Sequence, residues 1–267
     1  MIEKEHEAIL KDATSEIASV AGWLWQRGWA ERNAGNISVR IDGENLQQFV
    51  LRPEHPFLPL QKPFSGLGGQ SFLVTATNTR MRDVAASPAD NILLIRVDDN
   101  GTGYRIISPS ADTTQRPTSE ITSHLCVHDM MLRERPAHRV VMHTHVTELI
   151  ALTQIRDLCD GLKLNRILLG MHPEVMVFVP AGVGFVPYLL PGTATMGEAT
   201  VRALEDHDVV LWEKHGVFAT GRTPQEAFDI IDILAKSASI WFLCRSAGYD
   251  PEGLTGSQLD ELSKLKF

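Results

Sequence analysis

The sequence predicts one α/β domain built on a mixed β-sheet with helices on both faces. Three observations predict it. Segments with the period of a strand are interspersed with helical ones without strict alternation, so the chain is neither all-β nor a regular βαβ succession. Asn91 to Val97, the turn Asp98-Asp-Asn-Gly101 and Tyr104 to Ile107 form a hairpin signature, which puts antiparallel neighbours into the sheet. The chain has 267 residues and no internal repeat, enough for one large domain with a substantial core.

Residues 6 to 27 read as an amphipathic helix: Ile9, Ala13, Ile17, Val20, Ala21 and Leu24 recur at helical spacing, and Trp23, Trp25 and Trp29 cluster at its end. Asn36 to Ile41 alternates as a strand. Residues 52 to 70 are rich in proline and glycine, lack periodicity and read as a surface loop. Phe72 to Thr75 is the strand before the hairpin. A helix starts at Pro117-Thr-Ser119 and runs to about Arg133. Val140 to His143 is a buried strand, with a short helix from Thr147 to Thr153 behind it. Val175 to Val179 is an apolar run ended by Pro180 and reads as a strand. Thr193 opens a helix to about Glu205, and Val209 to Trp212 is another buried strand. Thr223-Pro-Gln-Glu226 has the pattern of a capping box with proline at the first helical position. The helix behind it carries Ala227, Ile230, Ile231, Leu234, Ala238 and Trp241 on one stripe, with Gly248 near its end.

The formal net charge is −8 and no Lys/Arg cluster stands out, which argues against a nucleic-acid partner. An acidic protein that handles an anionic small molecule must place local positive charge or backbone N–H groups at the site. Cys126, Cys159 and Cys244 are widely spaced, without a C-x-x-C pair, and are expected to be free thiols in a reducing compartment. The charged N-terminus lacks the apolar core of a signal peptide, and no apolar run approaches a membrane span. A cytoplasmic protein without a membrane partner is therefore expected.

The chemistry concentrates in Val141-Met-His143-Thr-His145 and, far downstream, Trp212-Glu-Lys-His215-Gly216. Histidines two residues apart leaving a strand project on one face. A third imidazole at the end of another strand would complete a three-histidine zinc site with an open position. Three neutral ligands leave the charge of the ion available as a Lewis acid. Four further islands accompany them: Glu31-Arg-Asn33-Ala34-Gly35-Asn36, Thr75-Ala76-Thr77-Asn78, Pro117-Thr118-Ser119-Glu120 and His172-Pro173-Glu174. Taken singly, these are equally ordinary as a turn, a strand exit, a helix start and a loop.

Taken together and in order, the islands resemble the class II, zinc-dependent aldolase and adducin superfamily, and within it the aldolases that act on L-rhamnulose 1-phosphate. The matching stretches run from Trp29 to Arg40, through Val141 to Thr153, to Val210 to Phe218, and span nearly the whole chain. The resemblance implies a class II aldolase-like fold with a mainly antiparallel sheet. It implies Zn2+ held by His143, His145 and His215, and cleavage of L-rhamnulose 1-phosphate to dihydroxyacetone phosphate and L-lactaldehyde. It further implies that Glu120 is the acid/base exchanging the C3 proton and that Glu174 serves the aldehyde end from a neighbouring subunit. Asn33, Asn36, Thr77 and Ser119 match phosphate-binding positions, Gly35 would allow close backbone approach, and Arg32 would add positive charge. A homotetramer with the active site near a subunit interface is the assembly the resemblance implies.

This chain departs from the superfamily's pattern at the glycine-rich turns. Ala34 stands where Asn-Gly-Gly-Asn is common, and Thr75-Ala76-Thr77-Asn78 where Thr-Gly-Ser-Gly is common. Asparagine tolerates the left-handed region; alanine pays for it. Rival readings within the superfamily are L-fuculose-1-phosphate aldolase and ribulose-phosphate 4-epimerase. An adducin-like binding module keeps the fold but loses the metal histidines, whereas all three are present here. A zinc-hydroxide hydrolase or hydratase would leave the phosphate-type islands without a purpose.

Overall fold

Two long amphipathic helices and a run of buried strands organise the computed structural model, which describes residues 2–41, 56–107 and 114–265. The strands are β1 (Asn36–Ile41), β2 (Phe57–Pro59), β3 (Ser71–Thr75), β4 (Ile92–Val97), β5 (Gly103–Ile106), β6 (Val140–Thr144), β7 (Gly184–Val186), β8 (Val209–Trp212) and β9 (Gly216–Gly221). They form one sheet in the order β2-β5-β4-β3-β1-β6-β9-β8-β7. Every pair is antiparallel except β7 with β8. The mixed, mainly antiparallel sheet is thus present, with its parallel pair at one edge.

The helices are α1 (Ile2–Gln26), α2 (Met81–Ala86), α3 (Pro88–Asn91), α4 (Ile121–Glu134), α5 (Thr147–Gln154), α6 (Gly161–Gly170), α7 (Pro173–Phe178), α8 (Ala194–Leu204), α9 (Pro224–Ser246) and α10 (Gly256–Leu262). Side-chain parity sorts them onto two faces. Ile37, Val39, Leu73, Val140 and Met142 meet α1, α5, α6 and α9 in one apolar core. Val141, Val210, Trp212 and Phe218 point the other way and pack against Val127 and Met130 of α4 and Met196 of α8. Helices therefore cover both faces. None of the described helices is long and apolar enough to cross a membrane.

Several local expectations change. The run Val175 to Val179, expected as a strand, is helical from Pro173, with His172 extended at its N-cap. Proline at the first helical position favours this outcome, and Val175 and Val179 are buried one helical turn apart. A short apolar run cannot by its periodicity alone tell a strand from a buried helix. Of the expected surface loop 52 to 70, residues 52 to 55 lie outside the described residues. Phe57–Pro59 pairs with β5 as an edge strand, and Phe64 and Leu67 are buried in a second core. The capping pattern at Thr223 is half made. Its side chain takes the Glu226 N–H, but Glu226 reaches back to the N–H of Arg222 rather than to that of Thr223.

Three polar residues are fully enclosed between the sheet and α4: Ser38 of β1, and His124 and His128, each at most 1 % exposed. Ser38 Oγ lies 2.7 Å from His124 Nδ1 and 2.8 Å from His128 Nε2. Burial pushes His128 down to about 3 and His124 well below the ordinary imidazole value. Both are buried neutral. A base depressed in the folded state takes its proton earlier in the unfolded chain. The stability tied to His128 is thus fully present above about pH 6.5 and is lost as the pH falls toward 3. By pH 5 this amounts to about 2 kcal/mol for the one group. Melting temperatures measured from pH 7.5 to 4.5 should fall, and the fall should be shallower in His128→Gln. Parallel curves for the two proteins would place the acid sensitivity elsewhere.

Candidate active site

The chain leaves α1 through a tight turn whose carbonyl at Trp29 accepts both the His145 N–H at 2.9 Å and the Thr144 hydroxyl at 2.7 Å. The turn is thereby pinned to the end of β6. Gly35 has φ 81°, and a Cβ there would sit 3.4 Å from the carbonyl oxygen of His143. Only glycine enters this backbone cheaply. Asn36 then begins β1 directly opposite His143. A second join comes from the bridge between Ala76 and Pro117, with the Thr77 N–H on the Arg116 carbonyl and the Thr118 N–H on that of Thr75. This ties the turn at Thr77 to the segment before α4 and sets Glu120 at the N-cap of that helix.

The third element is the β8–β9 hairpin. Lys214 turns the chain with φ 58°, and its N–H is held by Thr153 Oγ1 at 2.8 Å. His215 follows, then Gly216. A Cβ at Gly216 would meet the Thr144 carbonyl at 2.5 Å and His143 Cε1 at 2.8 Å. Glycine after His215 is therefore what allows the three rings to converge.

The ligand atoms of His143, His145 and His215 lie within 4.8 Å of one another, so the three could hold a metal ion. Ring centroids are 4.8 to 5.1 Å apart. His143 is buried, with Nδ1 donating to the Val217 carbonyl at 2.9 Å. Its Nε2 is buried without a hydrogen-bond partner, which is where a metal would bind. His145 Nδ1 is 2.8 Å from Glu31 Oε1, the carboxylate–histidine pairing that orients a ligand ring. Burial pushes His143 down to about 3 and His215 to about 4, so both are neutral at physiological pH and ready to ligate. Trp212 is fully buried beneath both, 4.8 and 5.1 Å away ring to ring.

Glu120 is 7 % exposed. Its Oε2 lies 3.6 Å from His143 Nε2 and its Oε1 3.6 Å from His215 Nε2. Asn36 Nδ2 donates to Oε2 at 2.9 Å. The carboxylate thus closes the open side of the histidine cluster.

A cavity of about 330 Å³ opens over this centre. Arg32, Asn33, Gly35, Asn36, Thr77, Ser119, Glu120 and the three histidines all line it. Its wall is rich in hydroxyls, amides and loop N–H groups, the set expected to hold a phosphate without lysine. Glu174 is not among its lining residues. That carboxylate stands in the first turn of α7, where its Oε2 is 2.6 Å from His172 Nδ1. Glu31 and Asn78, read from the sequence only as neighbours, also line the cavity. Asn78 takes φ 61°, as its tolerance of the left-handed region allows. Neither Ala34 nor Ala76 has positive φ. Glycine is thus not needed at those two positions.

Fold and site together define an α/β enzyme with a three-histidine centre. The model for the class II aldolase and adducin N-terminal domain matches residues 15–242, and the chain belongs to that family. A rhamnulose-1-phosphate aldolase from Bacteroides thetaiotaomicron is 40% identical over 97% of this chain and 96% of its own length. Another, from Pectobacterium carotovorum, is 37% identical over 90% and 88%. A sugar-phosphate aldolase of Thermotoga maritima superposes with a TM-score of 0.74 at 34% identity, over 91% of this chain and 99% of its own. The protein is a lyase of the aldolase class.

Gly216→Ala should cut the metal content of the purified protein well below one ion per chain, measured by elemental analysis, because the added methyl collides with the ring of His143. Gly256→Ala, where a Cβ meets nothing within 4 Å, is the control. Full metal loading in the Gly216 variant would show that the cluster has room the packing denies.

Proposed function

We propose that the protein is a zinc-dependent aldolase that cleaves L-rhamnulose 1-phosphate to dihydroxyacetone phosphate and L-lactaldehyde. One observation carries the reading most. A buried carboxylate stands 3.6 Å from two neutral imidazoles of a three-histidine cluster, on the floor of a cavity walled by hydroxyls and amides. Relatives of 40% and 37% identity that carry the rhamnulose-1-phosphate aldolase name support the substrate.

Asn33, Thr77, Ser119 and the loop N–H groups hold the phosphate, with Arg32 adding charge at the rim. His143, His145 and His215 would hold zinc, which would supply Lewis-acid stabilisation of charge at the ketone oxygen. Cleavage sends the C3–C4 electron pair toward C2. The C4 hydroxyl gives its proton to the carboxylate at the aldehyde end, Glu174, as the aldehyde forms, and C3 takes one from protonated Glu120; exchange with solvent resets both groups, so the reaction consumes and releases no net proton. Glu31 keeps the His145 ring oriented.

The assembly proposed is a homotetramer in which Glu174 works at the aldehyde end of a neighbour's site. Its place on α7, outside the cavity of its own chain, supports action in trans.

Metal-loaded protein should release dihydroxyacetone phosphate from L-rhamnulose 1-phosphate much faster than from L-fuculose 1-phosphate. The reverse preference would reassign the substrate. Glu120→Gln should keep its metal and lose about 10²-fold or more in kcat, the usual worth of a positioned acid/base. Turnover near that of the parent would put the base elsewhere. His145→Ala and Glu174→Ala, each nearly inactive, should regain activity in tag-purified mixed oligomers, because some interfaces pair an intact centre with an intact Glu174. Mixed oligomers no more active than their parents would place Glu174 in its own chain's chemistry or in none.

A further inference from the structure

Two buried histidines have no part in the chemistry described so far. His124 and His128 follow Glu120 on α4 at intervals of four, so the three share one helix face. Asn36 and Ser38 share one face of β1, and that face looks onto α4. The five residues form an unbroken hydrogen-bonded row from the cavity into the core. Glu120 Oε2 accepts from Asn36 Nδ2 at 2.9 Å, and Asn36 Oδ1 accepts from His124 Nε2. His124 Nδ1 lies 2.7 Å from Ser38 Oγ, and Ser38 Oγ lies 2.8 Å from His128 Nε2.

The donors and acceptors in this row determine one another. A carboxylate only accepts, so Asn36 turns its NH2 toward Glu120 and its oxygen toward His124. The amide oxygen needs a donor, so His124 carries its proton on Nε2. Its bare Nδ1 then accepts a hydrogen bond from the Ser38 hydroxyl, and the Ser38 oxygen accepts from His128 Nε2–H. His128 Nδ1 should be left bare, and that atom is indeed buried with no partner. Ring packing holds both imidazoles: His128 lies 4.7 Å from Phe72 and His124 5.2 Å from Phe218.

We propose that His124, backed by Ser38 and His128, is a positioning residue for proton transfer at Glu120, acting by locking the amide of Asn36 with its NH2 on the carboxylate. This rests on the assignment of Glu120 as the acid/base. Without the row, the Asn36 amide oxygen loses its donor and the side chain is no longer held in place against Glu120. The carboxylate then loses the contact that aims it at C3.

The test follows exchange of the C3 proton of dihydroxyacetone phosphate into D2O by 1H NMR, with metal-loaded protein at matched metal content. This half-reaction reads Glu120 whatever sugar phosphate is cleaved. His124→Phe should slow exchange by about tenfold with its half-saturating concentration within about twofold of the parent's, and His124→Gln, which can still donate to Asn36, should recover most of the loss. In an Asn36→Ala background, His124→Phe should cost nothing further, since His124 acts through Asn36. Ser38→Ala, a small change in the core, should slow exchange severalfold and serves if the phenylalanine variant does not fold. In 15N-histidine-labelled parent protein, His124 and His128 should both be Nε2–H tautomers. Undiminished exchange in His124→Phe, or in Ser38→Ala if the former is unfolded, overturns the proposal. So do additive losses in the Asn36→Ala background or an Nδ1–H tautomer at His124. Glu120→Gln is run alongside: if it still exchanges at the parent rate, the assignment of Glu120 falls, and if only Glu120→Gln is slow, the assignment stands and the positioning role falls.

Discussion

Asn36 of β1 stands opposite His143 of β6, and this register places the histidine cluster and the carboxylate side by side. Because side chains alternate along a strand, Asn36, Ser38, Val141 and His143 all face α4, while Ile37, Val39, Val140 and Met142 fill the core on the other side. A slip of one residue would bury His143 in the aliphatic core and turn Met142 toward Glu120. The register is held by the aliphatic face, which cannot be exposed, and by the turn pinned through Trp29 to the end of β6. The site's precision is thus inherited from apolar packing far larger than the site itself.

Burial of so many imidazoles calls for an account, since each must be neutral and hydrogen-bonded to sit there at tolerable cost. His143 donates to a backbone carbonyl, and His124 and His128 are joined through Ser38. Nε2 of His143 is left buried and unpartnered beside two other rings. An orphan lone pair beside two further imidazoles is what a metal centre needs. The same neutrality that lets His143 be buried makes it a competent ligand.

Glycine and its substitutes show how local rules are applied here. Gly35 and Gly216 are required, the first by its left-handed backbone and its approach to His143, the second by contact with two rings and a carbonyl. Positions 34 and 76 carry alanine because neither backbone is left-handed, whereas Asn78 occupies that region itself. Chain reversals beside the cavity are thus built partly from asparagine. Its amide can also meet an anion, a role a glycine fills only through its backbone.

Much of this was legible in the sequence because it follows from short-range periodicity. The strand carrying His143, the histidine two residues on, the helix after Pro117, the apolar stripe of α9 and the α/β class all rest on spacings of two or four residues. The phosphate-type islands were legible as residue types, and the structure gathers them around one cavity. Other features depended on contacts between distant segments. Whether Val175 to Val179 becomes a strand or a helix was decided by what it packs against, since five apolar residues suit either. The role of Glu31 appears only once the turn after α1 lies against His145. The spacing of Glu120, His124 and His128 was visible as one helix face, and Asn36 with Ser38 as one strand face. Only the packing of α4 on β1 could show that the two faces meet, because hydrogen bonds between residues some ninety positions apart leave no periodic trace in a single chain.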